Sequence, residues 1–227
     1  MLFFTLALGC APEVTLDAAP PLDEQALETA LILVQPDRAL TLLDGLVRGV
    51  DQATCPVDRF MDGQGVREVW AACPGGDTLG AVDRYEDEQL AWVEVRRLAW
   101  IEDGEIFRMD GAVEHLAEDD IATIELAATI CGPGWGSCVD PVQVDLSWTL
   151  VDRGAREDVL VTGTLSTLEL GPAEVEGTWS VSPGCDQPQG GLLLLEGEQV
   201  HAFRFDEDCD GCSAWTADGA GLGAFCR

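Results

Sequence analysis

Two stretches of this chain alternate between apolar and polar residues, and this period of two is the strongest constraint on its fold. Residues 142–150 (VQVDLSWTL) alternate without a break, and residues 173–181 (AEVEGTWSV) do so with Gly177 as the only gap. Successive side chains of a β-strand point to opposite faces, so both stretches are predicted to be strands with one buried face. Rougher runs of the same kind occupy residues 66–72, 91–101, 106–115, 121–130, 159–168, 191–195 and 200–205.

The connections between these runs are short. Turns rich in Gly, Asp and Pro, such as EDGE at residues 102–105 and VDRGARED at residues 151–158, separate neighbouring runs. Parallel strands need crossovers of about a dozen or more residues, which such turns do not provide. We therefore expect a mainly β (α+β) fold in which about nine to eleven strands form a large antiparallel meander, with one buried and one acidic face.

Residues 23–54 change to a helical period. Apolar residues recur at three- and four-residue steps on both sides of Pro36, which suits the first turn of a second helix. These positions are Leu22, Ala26, Leu27, Ala30, Leu31 and Val34, then Leu40, Leu43, Leu46, Val47 and Val50. The expected organisation is a signal peptide at 1–9, a tether at 10–22, a helical hairpin at 23–54 and an antiparallel β domain at 55–227.

The N-terminus resembles a secretory signal. Its apolar run over residues 2–8 is too short to span a bilayer. The sequence ALGC that ends at Cys10 resembles the lipobox of bacterial lipoproteins, which implies cleavage before Cys10 and diacylglyceration of its sulfur. In that family, Ala11 after the cysteine implies sorting to the outer membrane. A buried N-terminal strand is the alternative, and the lack of a basic residue before the run leaves open a start upstream of Met1.

Nine cysteines are a high count for a chain of 227 residues, and they indicate an oxidising compartment. Acylation of Cys10 would leave eight cysteines, enough for four disulfides. We expect Cys55 to pair with Cys73 and Cys131 with Cys138, since the members of each pair lie close in the sequence.

The last four cysteines, Cys185, Cys209, Cys212 and Cys226, allow three pairings. We favour Cys185–Cys209 with Cys212–Cys226, and a zinc site built from all four is the alternative. A redox centre at the Cys-x-x-Cys pair would need a helix directly after its first cysteine, and the glycine-rich sequence that follows is against one.

The layout as a whole resembles predicted lipoproteins of high-GC bacterial genomes, such as those of myxobacteria. The features that carry the resemblance are the lipobox, the helical hairpin followed by Cys-Pro at residues 55–56, the strand meander and the C-terminal CDGC. The resemblance implies a location in the cell envelope and no mechanism.

The charge of the chain restricts its partners. The chain has forty-two acidic residues and twelve basic ones, all arginine, which gives a net charge of −30. Such a surface repels phosphate backbones and anionic headgroups. We therefore expect no nucleic-acid partner, and attachment to the membrane only through a lipid anchor.

The stretch FDEDCDGC, residues 205–212, resembles part of a calcium-binding loop. Asp206, Asp208, Asp210 and Gly211 match the first, third, fifth and sixth positions of a calcium-binding hand. The twelfth position is Ala217, which cannot bind a cation, so a looser calcium site is the metal hypothesis. An acidic turn pinned by disulfides is the favoured interpretation.

Two tryptophans lie close together in AWVEVRRLAWI, residues 91–101. Its apolar face is interrupted by Arg97, and Trp92, Leu98 and Trp100 are predicted on the opposite face. Exposed tryptophans can stack on sugars or anchor a protein partner, so these two are a candidate ligand patch. A covering helix is the alternative.

No catalytic motif is present, and in particular no Gly-x-Ser-x-Gly, His-Glu-x-x-His or phosphate-binding glycine loop. We expect a disulfide-stapled, lipid-anchored envelope protein with a structural or interaction role, without a cofactor, and with a protein or glycan partner. The alternatives are a calcium-dependent or carbohydrate-binding module and, less favoured, a secreted glycan hydrolase that uses a pair of carboxylates.

Overall fold

The computed structural model of the protein describes residues 24–52, 58–62, 65–71, 79–86, 88–102 and 105–226, which form two helices and thirteen strands. The helices are α1 (Glu24–Leu33) and α2 (Pro36–Gln52). The strands are β1 (Asp58–Asp62), β2 (Gly65–Ala71), β3 (Leu79–Glu86), β4 (Leu90–Glu102), β5 (Glu105–Glu118), β6 (Ile121–Cys131), β7 (Val142–Asp152), β8 (Glu157–Thr167), β9 (Gly171–Ser182), β10 (Cys185–Glu196), β11 (Val200–Phe205), β12 (Cys212–Ala217) and β13 (Ala220–Cys226).

All thirteen strands belong to one sheet, in which each strand pairs with the next along the chain. Every one of these pairings is antiparallel. The structure confirms the predicted class, a mainly β meander with an N-terminal helical hairpin. The strand count is thirteen rather than the nine to eleven expected.

The alternation that predicted the strands corresponds to one buried face of the sheet. In β7, a row of apolar side chains is buried while Gln143 and Asp145 between them are exposed. The buried row is Val142, Val144, Leu146, Trp148 and Leu150. Strand β9 repeats the pattern. The sheet therefore has a continuous apolar inner face that another element must cover.

The helical hairpin supplies that cover. Its buried apolar side chains and those of the strands form one hydrophobic core. The hairpin contributes Leu27, Leu31, Leu33, Val34, Leu42, Leu43 and Leu46 among others. Fully burying one leucine or valine side chain contributes about 1.5–3 kcal/mol, so the hairpin and the sheet stabilise each other.

Two strand side chains also bind the carbonyl groups of the hairpin. The indole Nε1 of Trp148 donates a hydrogen bond of 2.7 Å to the Val34 carbonyl, just after α1. Arg84 Nη1 in β3 donates one of 3.1 Å to the Val47 carbonyl in α2. Carbonyls at the end of a helix lack partners inside the helix, so Trp148 satisfies a group that would otherwise be buried without one.

A β-bulge in β4 explains the arginine that interrupts its apolar face. The pairing of β4 with β5 shifts between Val95 and Leu98, and Arg97 has a φ of 52°. The extra residue reverses the alternation, so Leu98 is buried like Val95 while Arg97 is exposed. The prediction placed Leu98 on the outer face with Trp92, and for this residue it is wrong.

The hairpin of β12 and β13 was not predicted as strands. Its turn consists of Asp218 and Gly219, both with positive φ, at 49° and 78°. Asp-Gly is the preferred sequence of such two-residue turns, because both residues tolerate the left-handed conformation. The sequence TADGAG therefore held a hairpin signal, while the glycine-rich strand after it lacks the alternation on which the prediction relied.

Candidate functional site

A concavity lies between the corner of the helical hairpin and the C-terminal strands. Leu31, Val34 and Gln35 line it from the hairpin side. The sheet and its loops contribute Trp179, Gln187, Pro188, Leu193, Phe205, Gly211, Ser213 and Phe225. Its volume is about 20 Å³, which is room for about one water molecule. In this conformation, that volume is too small for an organic ligand.

The described residues that line this cavity include no carboxylate and no histidine. Its polar members are two glutamines and Ser213, whose Oγ donates a hydrogen bond of 3.4 Å to the Phe225 carbonyl. General acid–base catalysis needs a titratable group within hydrogen-bond reach of the substrate. The lining side chains therefore do not form the carboxylate pair that the hydrolase alternative requires.

Phe225, which lines the cavity, belongs to an aromatic cluster on β11, β12 and β13. The ring of Phe225 packs edge-on against Phe203 and Trp215, with centroids 5.7 and 6.0 Å apart. Phe203 and Trp215 are stacked at 6.3 Å. Such pairs add about 0.5–1.5 kcal/mol each beyond the area they bury. Three short strands are thereby held together on their inner side.

His201 adjoins this cluster and is fully buried. Its Nδ1 accepts a hydrogen bond of 3.3 Å from Trp215 Nε1, so the neutral ring carries its proton on Nε2. Within the described part of the chain, Nε2 has no hydrogen-bond partner. Burial lowers the pKa of His201, and the nearby Asp218 carboxylate opposes this shift. A buried neutral histidine was not predicted, since the sequence shows only a histidine near a strand end.

Three disulfides staple the described residues. They join Cys131 to Cys138, Cys185 to Cys209 and Cys212 to Cys226, with Cα–Cα distances of 5.0, 5.8 and 4.0 Å. The pairings are those favoured from the sequence. Because all four C-terminal cysteines are oxidised, they do not form the alternative zinc site.

The other predicted cysteine positions are not covered by the structure. Cys10, the predicted lipidation site, and the predicted pair Cys55 and Cys73 lie outside the described residues. The described Cys-x-x-Cys pair divides between two disulfides, since Cys209 bonds to Cys185 and Cys212 to Cys226. It therefore does not form the vicinal dithiol of a redox centre.

The acidic loop, residues 206–211, connects β11 to β12, and its carboxylates bind the loop itself. Asp206 Oδ1 accepts a hydrogen bond of 2.9 Å from the Asp208 amide. Asp210 Oδ1 accepts one of 2.8 Å from the Cys212 amide. In the residues that the structure describes, no three potential metal ligands come together, so Asp206, Asp208 and Asp210 do not form a cation site in this conformation. The calcium hypothesis has no geometric support.

The two candidate ligand-patch tryptophans lie on either side of the β4 bulge. Trp92 pairs with Glu114 of β5 and is partly exposed. Trp100 pairs with Phe107, whose side chain is buried, and the side chain of Trp100 itself is outside the described part. The patch stays a prediction.

The disulfide loop CGPGWGSC packs against the start of α2. Trp135 of this loop is buried, and the Arg38 guanidinium lies 5.4 Å from the centre of its ring. Arg38 also donates a hydrogen bond to the Gly134 carbonyl. Burial lowers the pKa of Arg38. Ser137 Oγ accepts from the Val139 amide at 3.1 Å, so the serine stabilises a turn.

Two neighbouring carboxyl groups at the β7–β8 turn titrate differently. Burial raises the pKa of Glu157, and the carboxylates of Asp37 and Asp152 add to the shift. Asp158 accepts a hydrogen bond of 2.8 Å from Ser180, which together with Arg153 and Arg156 lowers its pKa. This divergence was not predictable from sequence, since 42 acidic residues make any single pair uninformative.

In the described residues, no helix is long and apolar enough to cross a membrane. Comparison with protein-family models, with curated proteins and with solved structures finds no match to this chain.

Proposed function

We propose that the protein is a lipid-anchored protein of the bacterial cell envelope, at the outer membrane, with a structural or interaction role. The observation that carries the proposal is the state of the six described cysteines, all of which are paired. Disulfides persist in oxidising compartments and are rare in a reducing cytosol. If Cys55 pairs with Cys73 as predicted, Cys10 is the odd cysteine and is available for acylation.

The electrostatics support a lipid anchor rather than direct binding of the sheet to the bilayer. A chain of net charge −30 is repelled by anionic headgroups. Each acyl CH₂ buried in the bilayer contributes about 0.8 kcal/mol, so two or three chains on Cys10 suffice for stable attachment. The proline-containing tether at residues 10–22 would then hold the acidic domain away from the headgroups.

The small size of the cavity favours an interaction role over an enzymatic one. The inner face of the sheet is covered by the helical hairpin, and the cavity between them has room for about one water molecule and no titratable lining group. Among the described residues, the outer face of the sheet and its edges are available to a partner. A module that acts by contact fits this arrangement better than one that encloses a substrate.

Replacing Cys10 by serine tests the proposal. The wild-type protein is expected in the membrane fraction after cell lysis, and Cys10→Ser in the soluble fraction, because the serine cannot be diacylglycerated. Ala11→Asp is the matched control, since it keeps the acylated cysteine and is expected to stay membrane-bound while moving from the outer to the inner membrane. Unchanged membrane partitioning of Cys10→Ser would contradict the lipid anchor.

A further inference from the structure

The last strand of the described sheet has one free side. Strand β13 pairs with β12, and no described strand pairs with its other side. Such an edge presents unpaired N–H and C=O groups and is a template for another extended chain.

The exposed residues of β13 lack the side chains that usually guard an edge. Ala220, Gly221, Leu222, Gly223 and Ala224 are all exposed, and none is charged or proline. Leu222 is 45% exposed. Guarding residues such as lysine or proline prevent strand addition elsewhere, so their absence here leaves the backbone accessible. A bulge at Leu222, where Gly223 has a φ of 119°, limits a partner to a short strand.

A disulfide and aromatic packing hold β13 in place on the rest of the sheet. The Cys212–Cys226 disulfide joins β13 to β12 at its end. On the inner side, Phe225 is buried between Phe203 and Trp215. A strand that is already ordered loses little conformational entropy when a partner pairs with it, which favours binding.

The charges around β13 select the kind of partner. Asp218 lies in the turn before the strand, and the acidic loop with Asp206, Asp208 and Asp210 lies beside its disulfide-bonded end. All four carboxylates are exposed, while the edge between them is neutral. A second copy of this chain would bring the same carboxylates and another net charge of −30, so self-pairing is disfavoured.

We propose that the β13 edge binds an extended segment of another envelope protein by strand addition, and that the segment is neutral in its centre and basic at its ends. This inference rests on the proposed interaction role and names its partner class. Main-chain hydrogen bonds to β13 hold the segment, and the carboxylates at both ends orient it.

The test uses the acylated full chain in neutral detergent micelles and two synthetic peptides. One peptide has a Val-Thr-Val-Thr-Val centre with two arginines at each end, and the other has the same centre with two glutamates at each end. Amide hydrogen exchange is measured with each peptide for those β13 amides that do not bond to β12. The basic peptide is expected to slow exchange of β13 amides about tenfold, and the acidic peptide to leave it unchanged.

Matched variants locate the contact. Ala224→Lys is expected to weaken binding of the basic peptide about fivefold or more, while Ala224→Glu keeps or strengthens it. Ala127→Lys, at an exposed position of β6, is the remote control and is expected to bind like the wild type. Because the two substitutions at Ala224 are of similar size, damage to the fold would affect both alike.

Several results would overturn the inference. They are equal protection by both peptides, equal effects of the two Ala224 substitutions, protection in the peptide-free monomer of the β13 amides that do not bond to β12, and a concentration-dependent dimer that protects those amides. The peptide experiment does not depend on fractionation, so its failure would leave the Cys10→Ser result intact. Release of wild-type protein into the soluble fraction would equally leave the peptide result intact.

Discussion

The central strands β6–β9 and the C-terminal strands β11–β13 belong to one sheet but are stabilised in different ways. The central strands have 11 or 12 residues each and pair without a register shift. The C-terminal strands have six or seven residues and include a bulge; one disulfide joins the ends of β12 and β13, and a second joins the loop after β11 to the start of β10. Length and burial hold the first region, and covalent links hold the second.

The reason for the difference is the apolar area that each strand can bury. Strand β7 buries five large side chains, each contributing about 1.5–3 kcal/mol. Strand β13 buries only Phe225 among its described large side chains. A disulfide that closes a loop of about fifteen residues contributes about 3 kcal/mol, comparable to one or two of those side chains. The two disulfides therefore compensate for the buried apolar area that these short, glycine-rich strands lack.

The largest expected effect comes from breaking the central region at Trp148. Trp148→Ala removes a fully buried ring and leaves the Val34 carbonyl without its donor. We expect the free energy of unfolding to fall by about 3–5 kcal/mol, measured by urea denaturation. Trp148→Phe keeps most of the apolar volume and should cost about 1–3 kcal/mol. A loss under about 1 kcal/mol for the alanine variant would show that the hairpin is not held at this point.

Removing a staple should affect the C-terminal region alone. With Cys212 and Cys226 both replaced by alanine, we expect the free energy of unfolding of the C-terminal strands to fall by about 2–4 kcal/mol. Amides of β11–β13 should exchange faster while those of β6–β9 keep their rates. Replacing Cys131 and Cys138 is the control, since it opens a different loop. Uniform acceleration along the whole sheet would mean that the two regions unfold together and that the distinction between them fails.

Acidification should destabilise the C-terminal strands more than the central ones, because His201 lies in β11. Its folded pKa lies below the ordinary 6.5, so the folded state binds fewer protons than the unfolded state below that pH. The stability it contributes is present above about pH 6.5 and is lost as the pH falls towards the folded pKa. Protonation of His201 at Nδ1 would also break the hydrogen bond that this atom accepts from Trp215 Nε1.

The measurement is the exchange rate of β11–β13 amides between pH 7.5 and 5.5, corrected for intrinsic exchange. Wild-type protein should lose protection in these strands as the pH falls. His201→Gln, which keeps an acceptor oxygen for Trp215, should lose less, and His115→Gln should behave like the wild type. Identical pH profiles for wild type and His201→Gln would show that His201 does not cause the pH dependence of exchange in β11–β13.

The smallest effect is expected in the acidic loop. Asp210→Ala removes the acceptor of the Cys212 amide at an exposed position, at a cost of about 0.5–1 kcal/mol. Because the described carboxylates do not converge on a cation position, calcium should leave the melting temperature of wild type and variant unchanged. A calcium-dependent rise that Asp206→Ala and Asp210→Ala abolish would instead establish the calcium-binding alternative.

The sequence predicted those elements whose formation is decided locally. The alternation in β7 and β9 and the spacing of Cys131 and Cys138 were sufficient, since a strand pattern and a short disulfide loop depend on neighbouring residues. The bulge at Arg97 and the hydrogen bond from Trp148 to Val34 were not predictable, because they depend on contacts between distant segments. The cavity escaped prediction for the same reason, as its lining comes from the hairpin corner, five strands and one loop.

The C-terminal loop shows how a local motif can mislead. Asp206, Asp208 and Asp210 have the spacing of a calcium loop, yet two of them are acceptors for amides of their own turn. Short polar side chains commonly bind the backbone two residues on, which is a local alternative to binding a cation. Spacing alone does not distinguish the two uses.

The intact mass of the mature protein purified from the membrane fraction tests the central proposal most directly. The proposal predicts an N-terminus at Cys10 that carries a diacylglyceryl group, and no thiol that reacts with an alkylating agent under denaturing conditions. An unacylated chain that retains residues 1–9 and has several free thiols would contradict it.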